Sequence, residues 1–272
     1  MLKPPYKFYE NLHIYSINSN ELKINDRDLI GIWKDSGTSL IFFHKNKDNL
    51  MKGLAEKFKF KILYYTVIPY SDWESGKFIK KFKIEDWEIV PEWEKEKIEN
   101  KDKAIIIDPS VAFGSGFHPT TRMILKCFYK FYKNNRNLSS CIDLGCGTGI
   151  LSIFAGKLGI KNVIAVDNNN LAYEVTLKNV KINNLEKNIR VKFCDIFNLF
   201  PINYDVVFAN LYYNLLEKLF KFKKFWCSKY YFFSGFIKSM ANRIIKNLPD
   251  NFEILDKDYC EDWCMIFVKR RD

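Results

Sequence analysis

Apolar and polar positions change period several times along the chain. The short runs Leu29-Ile30-Gly31-Ile32-Trp33 and Thr38-Ser39-Leu40-Ile41-Phe42-Phe43 flank Lys34-Asp35-Ser36-Gly37, which predicts a hairpin with Gly37 available for positive φ. Leu50, Leu54 and Phe58 then recur at helical spacing, and Lys61 to Ile68 reads as a closing strand. Residues 1–66 are thus expected to form a small α+β unit with ordinary apolar stripes and no chemistry of its own. From about Ser71 to Asn100 the pattern gives way to charge, with Trp73, Trp87 and Trp93 among lysines and glutamates, and this stretch is read as a linker. Within it, Asp72-Trp73-Glu74 can cap a short amphipathic helix reaching Phe82, and the charge run Glu94 to Lys103 reads as a solvated face.

Further on, apolar strands alternate with helical patterns. Cys141 to Leu144 leads into Gly145-Cys146-Gly147-Thr148-Gly149 and then a helical pattern from Ile150, which is strand, glycine turn, helix. A second strand runs from Asn162 to Asp167, a third from Ile189 to Phe193 before Cys194-Asp195, and a fourth from Tyr204 to Ala209 before Asn210. Polar residues therefore stand at the carboxyl ends of consecutive strands, where open α/β sheets bind ligands. The alternating glycines let backbone approach a ligand closely, and the following helix is expected to offer free N–H groups and a positive dipole end.

Spacing separates the nucleotide turns that compete for this signal. No Gly-Lys-Ser/Thr ending follows Gly149, which argues against a phosphate loop. Gly149 comes two positions after Gly147 rather than three, which makes a dinucleotide site the weaker choice. Asp167 lies about 20 residues on, the offset at which a carboxylate meets ribose hydroxyls, so it is expected to accept from both hydroxyls of an adenosine. In this order the features resemble the class I S-adenosylmethionine-dependent methyltransferases, whose sheet is Rossmann-like, seven-stranded and mostly parallel.

Composition changes this picture little. At 272 residues the chain has room for one full α/β domain and a smaller unit. It has no apolar run near the ~20 residues of a membrane helix, and Met1-Leu2-Lys3-Pro4-Pro5-Tyr6 lacks a secretory signal, so a cytoplasmic, non-membrane protein is expected. The seven cysteines form no CxxC pair and read as buried thiols of a reducing compartment. Cys260 and Cys264 lack the partners of a zinc site, and no metal is expected. A net charge of +11 would attract nucleic acid or a ribonucleoprotein surface, although lysines are spread along the whole chain.

Between the linker and the glycine turn lies Ile107-Asp108-Pro109-Ser110-Val111-Ala112-Phe113-Gly114-Ser115-Gly116-Phe117-His118-Pro119-Thr120-Thr121-Arg122, an aromatic loop running into a capped helix. Phe113 and Phe117 are expected to lie over a bound cofactor, where an aromatic face stabilises a sulfonium by ~0.5–2 kcal/mol. His118 is expected to serve the loop and cap rather than a proton relay.

The pattern Asp-Pro-x-x-Ala-Phe-Gly-x-Gly-x-His-Pro-Thr-Thr resembles the signature of the PrmA family, the methyltransferases of ribosomal protein L11. The likeness continues through the glycine motif, Ala209-Asn210, Phe232-Phe233-Ser234-Gly235 and Glu261 to Arg270. It implies S-adenosylmethionine as cofactor, S-adenosylhomocysteine as product, and contacts to Thr121, Gly145, Gly147, Asp167 and Asn210, with Asp195 a weaker candidate. Asn210 would orient the attacking amine, either a lysine side chain or an N-terminal α-amine of the large-subunit ribosomal protein. The resemblance also implies an N-terminal ferredoxin-like substrate-recognition domain over residues 1–66, a linker over 67–103 and a methyltransferase domain over 104–272, in a monomer with weak ribosomal RNA contact.

Two features depart from the family. The first 66 residues are short of one helix, because Leu12 to Leu22 is poorly periodic. Asn210-Leu211-Tyr212-Tyr213 partly resembles the Asn-Pro-Pro-Tyr motif of methyltransferases of adenine amino groups or glutamine amides. The alternatives are therefore a methyltransferase of another protein lysine, an RNA methyltransferase, or an RNA-binding module.

Overall fold

The computed structural model describes residues 10–35, 37–73 and 80–271. The Met1 to Tyr6 stretch, Ser36 of the expected turn and Glu74 of the expected cap lie outside them. The amino-terminal chain forms β1 (Asn11–Ile17), β2 (Leu29–Asp35), β3 (Thr38–Phe43), α1 (Asp48–Phe58) and β4 (Ile62–Pro69). The strands pair antiparallel in the order β2-β3-β1-β4. This succession is the ferredoxin-like βαββαβ without its first helix, since residues 18–28 are irregular. Period-two alternation gives the sheet two buried faces. Tyr15, Ile41 and Phe43 pack towards α1 and its buried Met51, whereas Leu12, Ile14 and Phe42 join Val111, Ala112, Leu171 and Val175 of the larger fold.

A short α2 (Tyr70–Trp73) follows, and then β5 (Phe82–Ile84), β6 (Trp87–Pro91) and β7 (Ala104–Ile107) make a three-stranded sheet. Phe82 thus opens a strand and does not end a helix. The reason is burial: Ile84, Trp87, Ile89, Ile105 and Ile107 belong to the main core, with Phe82 packed against it. The charge run after β6 is also less uniformly solvated than its composition suggests. The Lys81 ammonium pairs with Glu99 at 2.7 Å, and Glu94 accepts the Lys81 N–H at 2.7 Å. Buried Glu88 accepts the Glu99 N–H at 2.9 Å, so part of the charge holds the small sheet together.

The rest is an α/β domain: α3 (Pro119–Asn134), β8 (Ser140–Leu144), α4 (Ile150–Lys157), β9 (Asn162–Asp167), α5 (Asn170–Ile182), β10 (Ile189–Phe193), β11 (Val206–Asn210), α6 (Tyr213–Phe220), β12 (Tyr230–Ile237), α7 (Ala241–Lys246), β13 (Phe252–Cys260) and β14 (Trp263–Arg270). Its seven strands run in the order β10-β9-β8-β11-β12-β14-β13. The first five are parallel, and β14 lies antiparallel to both its neighbours. The order reverses between β8 and β11, which creates the crevice where such sheets hold ligands. Phe128 of α3, Phe154 of α4 and the sheet residues Phe208 and Phe232 fill one face. Leu216 and Phe220 of α6 with Val207, Tyr231 and Phe233 fill the other.

One side chain ties these layers to the segment that leads into the site. Asn179 of α5 is fully buried; its Nδ2 donates to the Asp108 and Thr148 carbonyls, both at 2.9 Å, and its Oδ1 accepts the Asp108 N–H at 2.8 Å. Replacing it by alanine would strand three buried backbone groups. Asn179→Ala is therefore expected to lose roughly 2–4 kcal/mol of stability, read from urea unfolding, and a loss below about 0.5 kcal/mol would show that the staple is dispensable.

Candidate functional site

The carboxyl ends of the parallel strands open into one cleft of about 760 Å³. That volume lies within the range of small-molecule sites, roughly 300–1,000 Å³. Asp195, Asp167, Gly145 and Asn210 line it in the order of their strands, β10, β9, β8 and β11. Parallel register does this without further help: each residue sits where its strand ends, and the strand spacing sets the row.

Gly147 and Thr121 stand behind that row. Gly147 adopts φ 56°, and a Cβ on it would fall on the Phe113 carbonyl oxygen, so no other residue fits. Its N–H donates to Asp167 Oδ2 at 3.0 Å. Thr121, buried on α3, accepts from Asn210 Nδ2 at 3.2 Å. The Asn210 amide is thereby oriented, and its Oδ1 is left buried with no hydrogen-bond partner. A buried acceptor left without a partner calls for an explanation, and a donor group of a bound molecule would supply one.

The glycine turn offers fewer free donors than its spacing suggests. Gly145 and Cys146 both donate to the Val166 carbonyl at 2.8 and 2.9 Å, Thr148 to the Phe113 carbonyl at 3.0 Å, and Gly149 to Cys146 at 2.8 Å. In the first turn of α4, Asp143 Oδ2 accepts from the Ser152 N–H at 3.2 Å and its hydroxyl at 2.7 Å. The expectation of free N–H groups is corrected for residues 145–149 and for Ser152. The turn provides close approach to backbone, and its rigidity comes from having spent its donors internally.

Asp167 and Asp143 differ in environment. Burial raises the Asp167 pKa, while N–H bonds from Asn169 and Gly147 oppose the rise. Each Asp167 oxygen takes one of those bonds, Oδ1 from Asn169 at 2.9 Å, and retains a lone pair for hydroxyls in the cleft. Asp143 is almost wholly enclosed; burial pushes its pKa up to about 7, against the lowering bonds from Ser152 and with a further rise from the Asp167 charge.

The aromatic loop divides. Phe113 lines the cleft and is 49% exposed, with its ring 5.1 Å from the His118 ring, which in turn meets Trp263 edge-on at 4.6 Å. Phe117 instead turns inward and packs on Phe82 at 4.7 Å. Its expected place over a cofactor is corrected for that reason: β5 provides an apolar partner on the far side of the loop. His118 caps α3, its Nδ1 lying 2.7 Å from Thr120 Oγ1. Cleft residues that local sequence patterns do not mark include Trp33 and Lys34 of β2, Gly235 of β12 and Lys218 of α6. Their only signal is tertiary, because each reaches the cleft from a separate element.

Other expectations find a plain outcome. Cys127, Cys141, Cys146 and Cys264 are buried, whereas Cys260 is exposed. Among the described residues no three His, Cys, Asp or Glu side chains converge as metal ligands. No helix among them is long and apolar enough to cross a membrane.

Comparison with known proteins agrees along almost the whole chain. A family model described as ribosomal protein L11 methyltransferase (PrmA) matches residues 10–271. The chain is 34% identical over 209 residues to the ribosomal protein L11 methyltransferase of Caldicellulosiruptor saccharolyticus, covering 75% of this chain and 67% of that one. Identity to the ribosomal protein L11 methyltransferase of Dictyoglomus thermophilum is 30% over 271 residues, covering 97% and 88%. The solved ribosomal protein L11 methylase of Lactobacillus delbrueckii subsp. bulgaricus superposes with a TM-score of 0.61 at 25% identity, covering 71% of this chain and all of that one.

The enclosed Asp143 makes stability depend on pH. Its native pKa of about 7 lies above the ordinary 3.8, so its contribution is fully present below pH 3.8 and is lost as pH rises through 7. Asp143→Asn is expected to remove that part of the fall in melting temperature between about pH 5 and about pH 8. Parallel melting profiles for the two proteins would contradict the assignment.

Proposed function

Because the chain belongs to the ribosomal protein L11 methyltransferase (PrmA) family, we propose that it methylates amine nitrogens of ribosomal protein L11, with S-adenosylmethionine as donor. The observation that carries the reading is the orphaned, pre-oriented Asn210 Oδ1 at the end of a row that also holds Gly145 and Asp167. When bound, the donor supplies a methyl carbon on a sulfonium sulfur, and S-adenosylhomocysteine remains after transfer. The Asp167 carboxylate in the cleft suits the ribose hydroxyls, and backbone at Gly145 and Gly147 gives the amino-acid end room to approach. Asp195 stands next in the row, at the adenine end.

Asn210 accepts an N–H of the acceptor amine, so the nitrogen lone pair is aimed along the cleft. Thr121 fixes the amide through the bond to Nδ2. A lysine ammonium, with a reference pKa of about 10.4, has to lose its proton before transfer, and the aromatic wall of Phe113 and Trp263 favours the neutral form by excluding water. Alignment at a reactive distance of ~3–3.5 Å contributes several kcal/mol to such a step. The family match favours a protein amine over the nucleic-acid acceptors.

The amino-terminal unit is the substrate-recognition domain in this reading, followed by a connecting segment and the methyltransferase domain from about residue 104. Its edge strand β4 exposes Leu63, Tyr64 and Val67, an apolar border suited to a protein surface. The net charge of +11 suits weak contact with ribosomal RNA, and the proposed species is a cytoplasmic monomer.

Incubation of unmethylated large subunits with labelled donor is expected to place label in ribosomal protein L11, as mass increments of whole methyl groups. Label found only in ribosomal RNA would overturn the reading. Asn210→Ala is expected to slow transfer by roughly 100-fold or more, as for loss of a preorganised site hydrogen bond, with little change in melting temperature. Unchanged turnover would remove Asn210 from the mechanism.

A further inference from the structure

One wall of the cleft does not come from the α/β domain. Trp33 and Lys34 of β2 line it beside Asn168 and Asn169, which follow β9 and its Asp167. The placement has a steric origin. β2 lies against the start of α5, and Gly31 allows this because a Cβ there would fall on Leu171 Cδ1. Around that contact Ile30, Leu12 and Phe42 bury themselves with Leu171 and Val175.

Trp33 is held from its other side as well. It meets Trp73 edge-on, with centroids 5.9 Å apart and planes at 75°. Trp73 packs on Phe42 at 5.0 Å and donates its Nε1–H to the Val111 carbonyl at 3.2 Å. The Tyr70 hydroxyl makes a second bond, to the Ser110 carbonyl. The indole is thus fixed at the lip of the ribose end of the cleft, half-buried and facing the ligand space.

We propose that Trp33 is part of the donor site: its indole covers the adenosine end of bound S-adenosylmethionine above Asp167 and Asn169, and the site is complete only while the amino-terminal unit is docked. This rests on the donor reading above and adds to it a binding residue from the other unit. An aromatic cover removes water from a ligand face and adds apolar area, which strengthens the hydrogen bonds beneath it. By linkage, a ligand that binds the docked form better holds the unit in place. The acceptor then enters from the opposite end, past Tyr212 (63% exposed) and Trp263.

Two measurements test the proposal. In the unmodified protein, S-adenosylhomocysteine is expected to slow amide exchange in β2 as well as in residues 145–149 and 167–169. In calorimetry, Trp33→Ala is expected to weaken S-adenosylhomocysteine binding by ~10-fold, the equivalent of one buried aromatic contact, and Trp33→Phe by less. Gly31→Val, which wedges β2 away from Leu171 and alters no cleft side chain, is expected to weaken it in the same direction. Binding within about twofold of the unmodified protein for Trp33→Ala and Gly31→Val overturns the proposal, and so does unchanged exchange in β2; the exchange result decides should a variant fail to fold. If the unmodified protein binds no S-adenosylhomocysteine, the donor reading itself falls, which is a different outcome from binding that ignores Trp33.

Discussion

Backbone rests directly on backbone where the 113–118 loop crosses the glycine turn, and the rest of the site depends on that contact. The Thr148 N–H reaches the Phe113 carbonyl at 3.0 Å and the Thr148 hydroxyl reaches the Gly114 carbonyl at 2.5 Å. No side chain can stand between them, which is why residue 147 has to be glycine. From this point the loop's path is set in both directions. Upstream, Asn179 holds Asp108, and Lys178 pairs with the Asp108 carboxylate at 2.7 Å. Downstream, His118 starts α3 and Thr121 arrives beside Asn210. A loop between two sheets thereby becomes a fixed strut.

The same segment couples the two units of the chain. Ser110 and Val111 accept hydrogen bonds from Tyr70 and Trp73, while Val111 and Ala112 fill the apolar seam beneath the amino-terminal sheet. A displacement of that sheet would reach the glycine turn through three or four residues of backbone. The loss of one ferredoxin-like helix leaves this seam intact, because it uses the face of the sheet opposite to α1. The face kept by the reduced unit is the one that touches the catalytic fold.

How far the residues announced this arrangement depended on whether the signal was local. The four strands β8 to β11 were legible because they are short apolar runs with Gly145, Asp167, Asp195 and Asn210 at or just past their ends, whereas the remaining three strands of the sheet were expected only from the family resemblance. The strand at Phe82 differs from the expected helix because the two patterns look alike over so short a run, and its ring partner Phe117 is distant in sequence. Trp33 and Asn179 carry no local signal at all. A tryptophan at the end of a hairpin strand and an asparagine inside a helix gain their meaning only when another element is brought against them. The glycine spacing likewise indicated close approach but could not reveal that Asp143 takes the Ser152 N–H in the first turn of the helix.

Under the proposed function, electrostatic placement along the row accounts for an amide at residue 210. In that reading the carboxyl groups at 167 and 195 would meet hydroxyls and amino groups of the donor that are bound but do not react. At the reacting end a carboxylate would be counterproductive. An opposite charge a few ångströms from an amine favours the ammonium form, whose lone pair is occupied by the proton. A neutral acceptor gives direction through one hydrogen bond without stabilising that unreactive form. In the proposed function Asn210 supplies such an acceptor, its nitrogen being bonded to Thr121 while its oxygen has no partner. The proposed roles then match the row, which grades from the acidic Asp195 and Asp167 to the neutral Asn210.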